Sequence, residues 1–327
     1  MKPFDIEEYK KEFLSDERLE VLYSKRWFKM FVPKEYGGLQ LNLVDGAKIL
    51  TKSAAYQGGF GWTLNLGAGA NWFCGFFEPS VAKALFSPRN AVIAGSGLTT
   101  GKFKQINNSV TIQGEWTKCT GAAHATLFSL NAKNDEGFVK SFVVPREKVT
   151  LSENKWPIFG LKNTSSFKIH LNKVSIPSSY GFVMNEVKNH HGYTLYHIPF
   201  ESFARVCLTS SFIGIIKCLI SEIEKELLAY KPDMINDFEK TLKLLIKAED
   251  QRNNYAEELE FLSFSRELSE GFKNKLKVDL GEMNLLLFEY VEKLFLHGGL
   301  SFVEEDNLIH WCYRDVLTGV QHYMMKP

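Results

Sequence analysis

Three blocks of hydrophobic spacing predict an α+β fold, mainly α, for this 327-residue chain. Residues 5–88 and 183–327 carry apolar side chains at the three- and four-residue spacing of amphipathic helices. Between them, residues 89–182 show the two-residue alternation of half-buried strands. The order predicts an N-terminal helical domain at 1–88, a central β domain at 89–182 and a C-terminal helical bundle at 183–327.

The first block is helical with one interruption. Its early apolar positions recur at helical spacing: Ile6, Tyr9, Phe13, Leu19 and Leu22. Pro33 and the Gly37-Gly38 pair then break the pattern with a loop. Helical spacing resumes at 42–55, and residues 58–70 are rich in small side chains. Such a segment permits either close packing or the approach of a ligand to the backbone.

The middle block reads as short strands with turns between them. Val92-Ile93 begins an apolar strand, and Asn107-Asn108 is a turn signal. Further strands are expected after that turn and at 125–132, 138–144 and 167–171. Short strands in this arrangement predict a small antiparallel barrel or sandwich.

The last block predicts an antiparallel helix bundle. One apolar stripe runs from Ile213 to Leu227 and is ended by Pro232, and another begins at Phe238. The longest stripe runs from Leu276 to Leu294 and is closed by the Gly298-Gly299 pair. Helices of this kind bury their stripes against one another.

Composition excludes several classes of protein. The net charge is +1 with no basic cluster, which argues against nucleic acid as a partner. No apolar run reaches the ~18 residues expected of a membrane span, and the first residues are too charged for a signal peptide. We therefore expect no membrane partner and a cytoplasmic location.

Cysteine and histidine spacing predicts no metal. The five cysteines are odd in number and lack C-x-x-C spacing, which argues against a disulfide framework or structural zinc. His190-His191 and His197 lack the helical i, i+4 spacing with an acid between them that a zinc site would use.

Six short motifs occur in a fixed order along the chain. They are Val-Pro-Lys-Glu-Tyr-Gly-Gly-Leu at 32–39, Ile-Gln-Gly-Glu-Trp-Thr-Lys-Cys-Thr-Gly-Ala-Ala-His at 112–124, Phe-Gly-Leu-Lys-Asn-Thr-Ser-Ser at 159–166, Val-Ser-Ile-Pro at 174–177, His-Gly-Gly at 297–299 and Tyr-Arg-Asp at 313–315. Together they resemble the acyl-CoA dehydrogenase superfamily of flavoproteins over nearly the whole chain. Trp116, Thr120-Gly121 and His322 resemble its flavin-dependent monooxygenase branch, the two-component hydroxylases. The resemblance implies three domains with a central β-barrel and a bound flavin, FAD or FMN.

The resemblance also implies which residues contact the flavin. Thr120 takes the position of a flavin-facing hydroxyl, and the His297-Gly298-Gly299 turn that of a contact to the pyrophosphate of a neighbouring subunit's flavin. Arg314 takes the position of an arginine near the flavin, oriented by Asp315. The other implied positions are Ser96, Gly97, Trp116, Gly121, Thr164 and Ser165. The alternatives from the residues alone are a Thr-Gly turn at 120–121 and a helix C-cap at 298–299.

The catalytic assignment rests on the chain end. Most dehydrogenases of the superfamily carry a carboxylate at the position of Tyr323, so that base is absent here. His322 takes the place of a histidine that acts in the monooxygenase branch, and an imidazole pKa near working pH suits that role. The alternative is a surface histidine in a frayed tail. Thr120 is counted with His322 as catalytic, and Glu201 is a second candidate base or else a helix N-terminal acid.

The expected function is that of a flavin-dependent oxidoreductase. A monooxygenase that uses reduced flavin is favoured, with an aromatic or acyl-thioester substrate that could be linked to CoA or a carrier protein. An acyl-CoA dehydrogenase and a non-catalytic structural homologue stay open as alternatives. A flavin reductase and a homodimer or homotetramer are the expected partners.

Two departures from the family are expected to matter. The chain looks like a shortened member, and the usual flavin-gripping arginine has no counterpart near Tyr230-Lys231-Pro232. Flavin binding is therefore expected to be weak, or to involve FMN.

Overall fold

The computed structural model describes residues 4–188, 192–230, 234–265 and 267–327. Its first part contains helices α1 (Ile6–Lys10), α2 (Asp16–Ser24), α3 (Leu43–Tyr56), α4 (Gly58–Asn71) and α5 (Pro79–Phe86). Asn42 caps α3 by accepting the Asp45 N–H, and Gln57 caps α4 by accepting the Phe60 N–H. These caps satisfy backbone donors that a helix start leaves unpaired.

The middle part forms one seven-stranded sheet. Its strands are β1 (Ile93–Ile106), β2 (Ser109–Cys119), β3 (Leu127–Lys133), β4 (Val139–Pro145), β5 (Thr150–Lys155), β6 (Phe167–Pro177) and β7 (Gly181–Phe182). The strands follow the order β5-β6-β2-β1-β3-β4-β7. A mainly helical α+β fold is confirmed.

The prediction of a wholly antiparallel sheet is wrong at one pairing. β1 and β3 run parallel, with Ile93 opposite Leu127 and Ser96 opposite Leu130. The reason lies in the path of the chain. β2 turns back and pairs with one edge of β1, and β3 then pairs with the opposite edge of β1 and runs in the same direction as β1. The register between β1 and β3 shifts between Ser96 and Gly101, so the ladder is interrupted there.

The last part contains α6 (Phe200–Tyr230), α7 (Ile235–Ser265), α8 (Glu270–His297) and α9 (Leu308–Gly319). The proposed stop at Pro232 lies outside the described residues. The expectation that no segment could span a membrane needs correction, because Phe200–Glu226 is long and apolar enough by composition. Its most apolar window is 83% buried inside the protein, as in the core helix of a bundle.

The helices α3 and α6 cross at close range through Gly214. A Cβ atom at this position would clash with the Thr51 carbonyl oxygen and the Ala54 side chain. Because both helices lie in the interior, their separation sets how the N-terminal helices dock on the C-terminal bundle. By contrast, a Cβ at Gly271 in α8 would meet no atom closer than 3.9 Å.

We expect Gly214→Val to lower the free energy of unfolding by about 2 kcal/mol or more, because overpacking forces the two helices apart. Gly271→Ala should be neutral or raise the free energy of unfolding by up to ~1 kcal/mol, because alanine is the better helix former. Urea denaturation followed by circular dichroism measures both. Equal effects of the two variants would contradict the close crossing.

Candidate functional site

A cavity of about 220 Å³ lies where the sheet meets the helices. Its walls come from α4, β1, β3, α6 and the chain end. Apolar side chains make up much of the lining: Leu66, Ala70, Phe73, Ile93, Leu130, Phe182, Met184, Phe200, Phe203 and Leu208. None of the described residues that line it is Asp, Glu, Lys or Arg. A partly open, mainly apolar space with a few polar groups suits a flat organic ligand.

Strand β1 supplies Ser96 and Gly97 to the cavity. A Cβ at Gly97 would meet nothing within 4 Å, so the backbone there is open to a ligand. The Asn131 side chain holds this segment in place by donating to the Gly97 carbonyl at 3.0 Å. Ser141 Oγ in turn donates to Asn131 Oδ1 at 2.7 Å. The register shift in β1 therefore exposes backbone at the cavity wall.

Thr120 lies at the end of β2 and lines the cavity. Gly121 follows with φ of +80°, a conformation that glycine adopts without strain. The Gly121 N–H donates to the Thr164 carbonyl at 2.8 Å, and the Ala122 N–H to the Ser165 carbonyl at 3.1 Å. The Thr-Gly turn is therefore present and carries Thr120 into the cavity wall.

A chain of hydroxyl groups lies behind Thr120. Thr120 Oγ1 and Ser166 Oγ are 3.2 Å apart, and Ser166 Oγ and Thr164 Oγ1 are also 3.2 Å apart. Thr164 Oγ1 donates to the Leu161 carbonyl at 2.7 Å. Thr164 and Ser165 are buried and are not among the lining residues. In the structure they support Thr120 from behind the wall.

His322 reaches the cavity from the chain end. Its ring lies 6.0 Å from the Trp62 ring of α4, and its Nδ1 accepts the Met324 N–H at 3.3 Å. Because Nδ1 accepts, the neutral ring carries its proton on Nε2. Burial, with a smaller contribution from the positive charge of Arg205, lowers the pKa of His322 to about 4. The expectation of a pKa near working pH is therefore wrong, and the ring is neutral at pH 7.

Arg205 of α6 holds the tail that carries His322. Its buried guanidinium donates from Nη1 to the carbonyls of Met324 at 2.9 Å and Lys326 at 2.8 Å. The tail also packs on α8, where a Cβ at Gly281 would clash with the backbone of Pro327. The alternative of a frayed tail is wrong. The contact between Arg205 and the tail could not be predicted from the sequence, because an arginine within a helical pattern does not indicate what it will contact.

Glu201 lies outside the cavity lining. Its side chain is 57% exposed, and its Oε1 accepts from Arg205 Nε at 3.0 Å. Ala204, one turn along α6, lines the cavity instead. Glu201 therefore helps to balance the charge of the arginine that holds the tail.

Trp116 lies in the core of the sheet. It is fully buried, and its indole Nε1–H donates to the Asn131 carbonyl at 2.9 Å. Its ring fills the space next to Gly101, where a Cβ would clash with it. Trp116 does not line the cavity, but it contacts the strand residue that holds Gly97.

The turn at 297–299 and Arg314 also lie outside the lining. His297 Nε2 is 3.4 Å from Asp237 Oδ2, and Gly299 has φ of +65° after the end of α8. Arg314 stacks between the rings of Phe159 and Trp311, with 4.4 and 4.5 Å from its central carbon to the ring centroids. Any flavin role for these residues is a contact outside this cavity.

The expectation that Asp315 orients Arg314 is wrong. Asp315 is buried and accepts the Leu161 N–H, with Gln57 Nε2 at 3.5 Å from its other oxygen. Burial raises the pKa of Asp315 to about 7. The carboxyl group therefore connects α9 to the loop that supports Thr120.

The described residues contain no group of three or more His, Cys, Asp or Glu side chains that could hold a metal ion. All five cysteines are free thiols and are buried. His190-His191 and Lys231-Pro232 lie outside the described residues.

No family model matches the chain. A pigment production hydroxylase of Rhodococcus sp. is 26% identical over 216 residues, which cover 62% of this chain and 55% of that protein. The flavin-dependent monooxygenase oxygenase subunit HsaA of Rhodococcus jostii is 24% identical over 171 residues, covering 50% and 44% of the two chains. The matches span about half the length of these curated relatives.

The fold is shared with a solved flavoprotein. XiaF from Streptomyces sp., in complex with FADH2 and glycerol, superposes with a TM-score of 0.89 at 17% identity. The superposition covers 98% of this chain and 87% of that chain. The chain thus has the fold of a reduced-flavin-binding protein.

Replacing Arg205 should raise the pKa of His322. We expect Arg205→Met to move it from about 4 toward the unfolded value of 6.5, because the tail loses burial and a nearby positive charge. Titration of the ring resonances by two-dimensional NMR measures this, with His322→Gln to assign the signal. Arg18→Met, which removes a buried arginine outside the cavity lining, should leave the pKa of His322 unchanged. An unchanged value in Arg205→Met would contradict the role of the arginine.

Proposed function

We propose that this chain is the oxygenase component of a two-component flavin-dependent monooxygenase acting on an aromatic small molecule. The observation that carries the proposal is one cavity with Ser96, Thr120 and His322 in its wall and no carboxylate among its described lining residues. Desaturation of an acyl thioester needs such a carboxylate as base. The names of the relatives and the fold shared with XiaF support the same reading.

The residues present fit a flavin. Gly97 leaves backbone open at the wall, and the Thr120 hydroxyl stands at the end of a hydrogen-bonded hydroxyl chain. A hydroxyl and exposed backbone groups beside an apolar space are what an isoalloxazine ring requires. A reduced flavin bound there would supply the two electrons needed to insert one atom of O2 into a substrate and release the other as water.

The chain's own residues would contribute position and a proton. Thr120 would orient the bound ring through its hydroxyl, and the phenylalanine side chains of the wall would exclude water. His322 would act as a neutral donor, holding its proton at Nε2, because its pKa of about 4 keeps the ring uncharged at pH 7. Because none of the described lining residues carries a charged side chain, one hydrogen bond of this kind is stronger there than in water.

Several finer features belong to the same proposal. We infer three domains at 1–88, 89–182 and 183–327 with the β domain barrel-like, a flavin reductase as partner, and a cytoplasmic location without membrane or nucleic acid. The exposed apolar side chains of Leu296 and Leu300, beside the Gly298-Gly299 turn, support a homodimer or homotetramer. A substrate linked to CoA or a carrier protein and a shortened chain stay predictions.

We expect saturable binding of FAD or FMN, measured anaerobically by flavin absorbance with the dithionite-reduced cofactor. Thr120→Val should weaken that binding about tenfold, because one hydrogen bond is lost. Thr117→Val, an exposed change in the preceding strand β2, should leave the affinity unchanged. Absence of saturation with either flavin, oxidised or reduced, would refute the proposal and favour a non-catalytic homologue.

His322→Ala should lower hydroxylation of p-cresol by about 100-fold or more while leaving flavin affinity within about twofold. His322→Gln, which keeps an N–H donor, should retain more activity than His322→Ala, and Glu201→Gln should have little effect. Product is measured by chromatography with reduced flavin supplied by a reductase. Anaerobic bleaching of oxidised flavin by an acyl-CoA, stopped by Glu201→Gln, would identify a dehydrogenase instead.

A further inference from the structure

Asn65 lines the cavity and carries a buried amide nitrogen that has no hydrogen-bond partner among the described residues. Asn65 is only 3% exposed, and this nitrogen is its Nδ2. The residue lies on α4 with Gly69, one turn further along, and Phe73 follows just after the end of this helix; all three line the cavity. A Cβ at Gly69 would meet nothing within 4 Å, so there is room for a ligand beside this face of the helix.

Asn71 shows that the protein can satisfy a buried asparagine on this helix. It is fully buried, and its Nδ2 donates to the carbonyls of Phe28 and Ala91, each at 2.9 Å. Its Oδ1 accepts the Ile93 N–H at 3.1 Å. Buried polar groups in proteins are nearly always paired, and an unpaired donor costs stability. Other described residues also carry an unpaired buried polar atom, Thr63 on the same helix among them, but Asn65 is the one of these that lines the cavity, which points to a partner from outside the chain.

We propose that Asn65 recognises the substrate by donating a hydrogen bond from Nδ2 to an uncharged oxygen atom, that of a phenol or ketone, on an aromatic ring. This inference rests on the proposed function and names the substrate class of the same cavity. The neighbours of Asn65 in the lining, Leu66, Ala70 and Phe73, are apolar and suit the ring itself.

Two observations assign the donor to the substrate. Trp62, one turn before Asn65 on α4, packs against His322, so the helix that carries Asn65 contacts the proposed proton donor. The candidate flavin contacts Ser96, Gly97 and Thr120 come instead from the sheet and its loop. Without a Lys or Arg among the described lining residues, a carboxylate would enter with its charge uncompensated, which is unfavourable. An uncharged phenol or ketone meets no such cost.

The first test is stability without ligand. Asn65→Leu replaces an unpaired donor by an apolar group of similar shape, so it should raise the melting temperature of the ligand-free protein by about 1–3 °C. Asn71→Leu, the matched control, breaks three hydrogen bonds and should lower the melting temperature by about 5 °C or more. A fall in Asn65→Leu comparable to that in Asn71→Leu would make Asn65 a structural residue and overturn the proposal.

The second test is binding selectivity, measured by calorimetry without oxygen, with and without reduced FMN. The probes are p-cresol, p-xylene and p-toluate, which differ in one substituent. The wild-type protein should bind p-cresol about tenfold more tightly than p-xylene, with p-toluate weakest, and Asn65→Leu should abolish the preference for p-cresol over p-xylene. Equal binding of these two probes by the wild-type protein, or a preference that survives in Asn65→Leu, would overturn the proposal.

The FMN and p-cresol measurements distinguish a failure of substrate recognition by Asn65 from a failure of the oxygenase function. If reduced FMN does not bind but p-cresol selectivity depends on Asn65, the oxygenase function fails and the recognition role stands. If Asn65→Leu weakens FMN affinity about tenfold and leaves p-cresol selectivity intact, the acceptor is the flavin and the substrate assignment is overturned.

Discussion

The cavity depends on the hydrogen bonds from Arg205 to the chain end. Met324 and Met325 of this tail are buried, and the tail packs on α8 at Gly281. The buried guanidinium donates to the carbonyls of Met324 and Lys326, while Glu201 accepts from its other edge. The guanidinium can be buried because several of its N–H donors have partners. Removing one of those partners would leave part of its buried charge uncompensated. One side chain of α6 therefore fixes the wall that contains His322.

The described residues that line the cavity carry no charged side chain, although charged groups lie close to it. Burial keeps His322 neutral, and it raises the pKa of the Cys207 thiol, so that thiol stays protonated. Arg205 directs its charge at carbonyl oxygens of the tail, and Glu201 stays at the surface. The polar groups that can contact a ligand are therefore uncharged hydrogen-bond donors and hydroxyls. Their effect on a ligand depends on the direction of their hydrogen bonds. Selectivity in such a cavity comes from matching a few hydrogen bonds within an apolar shape.

Local pattern predicted the helices and strands, since side-chain period is set by the geometry of each element. The parallel pairing of β1 with β3 could not be predicted this way, because it depends on which side of β1 the chain returns to. Resemblance identified Thr120, Ser96 and His322, which the fold brings into one cavity. It offered no means of seeing that burial lowers the pKa of His322, or that Asp315 faces Leu161, because burial is a property of the packed chain. Asn65 lies in a segment of small residues that gives no signal of a site, and the structure distinguishes it as a lining residue with an unpaired buried amide nitrogen.

A path of hydrogen bonds connects the helical bundle to the cavity wall. It runs from Asp315 of α9 to the Leu161 backbone, and from there through Thr164 and Ser166 to Thr120. Folding raises the pKa of Asp315 from 3.8 to about 7, mainly through burial. The folded state therefore binds this proton more tightly than the unfolded state, and stability due to this group is lost as pH rises through that interval. The Leu161 loop thereby joins this buried carboxyl group to the hydroxyl chain behind Thr120. The bundle thus acts on the cavity from two directions, through the tail on one side and through this loop on the other.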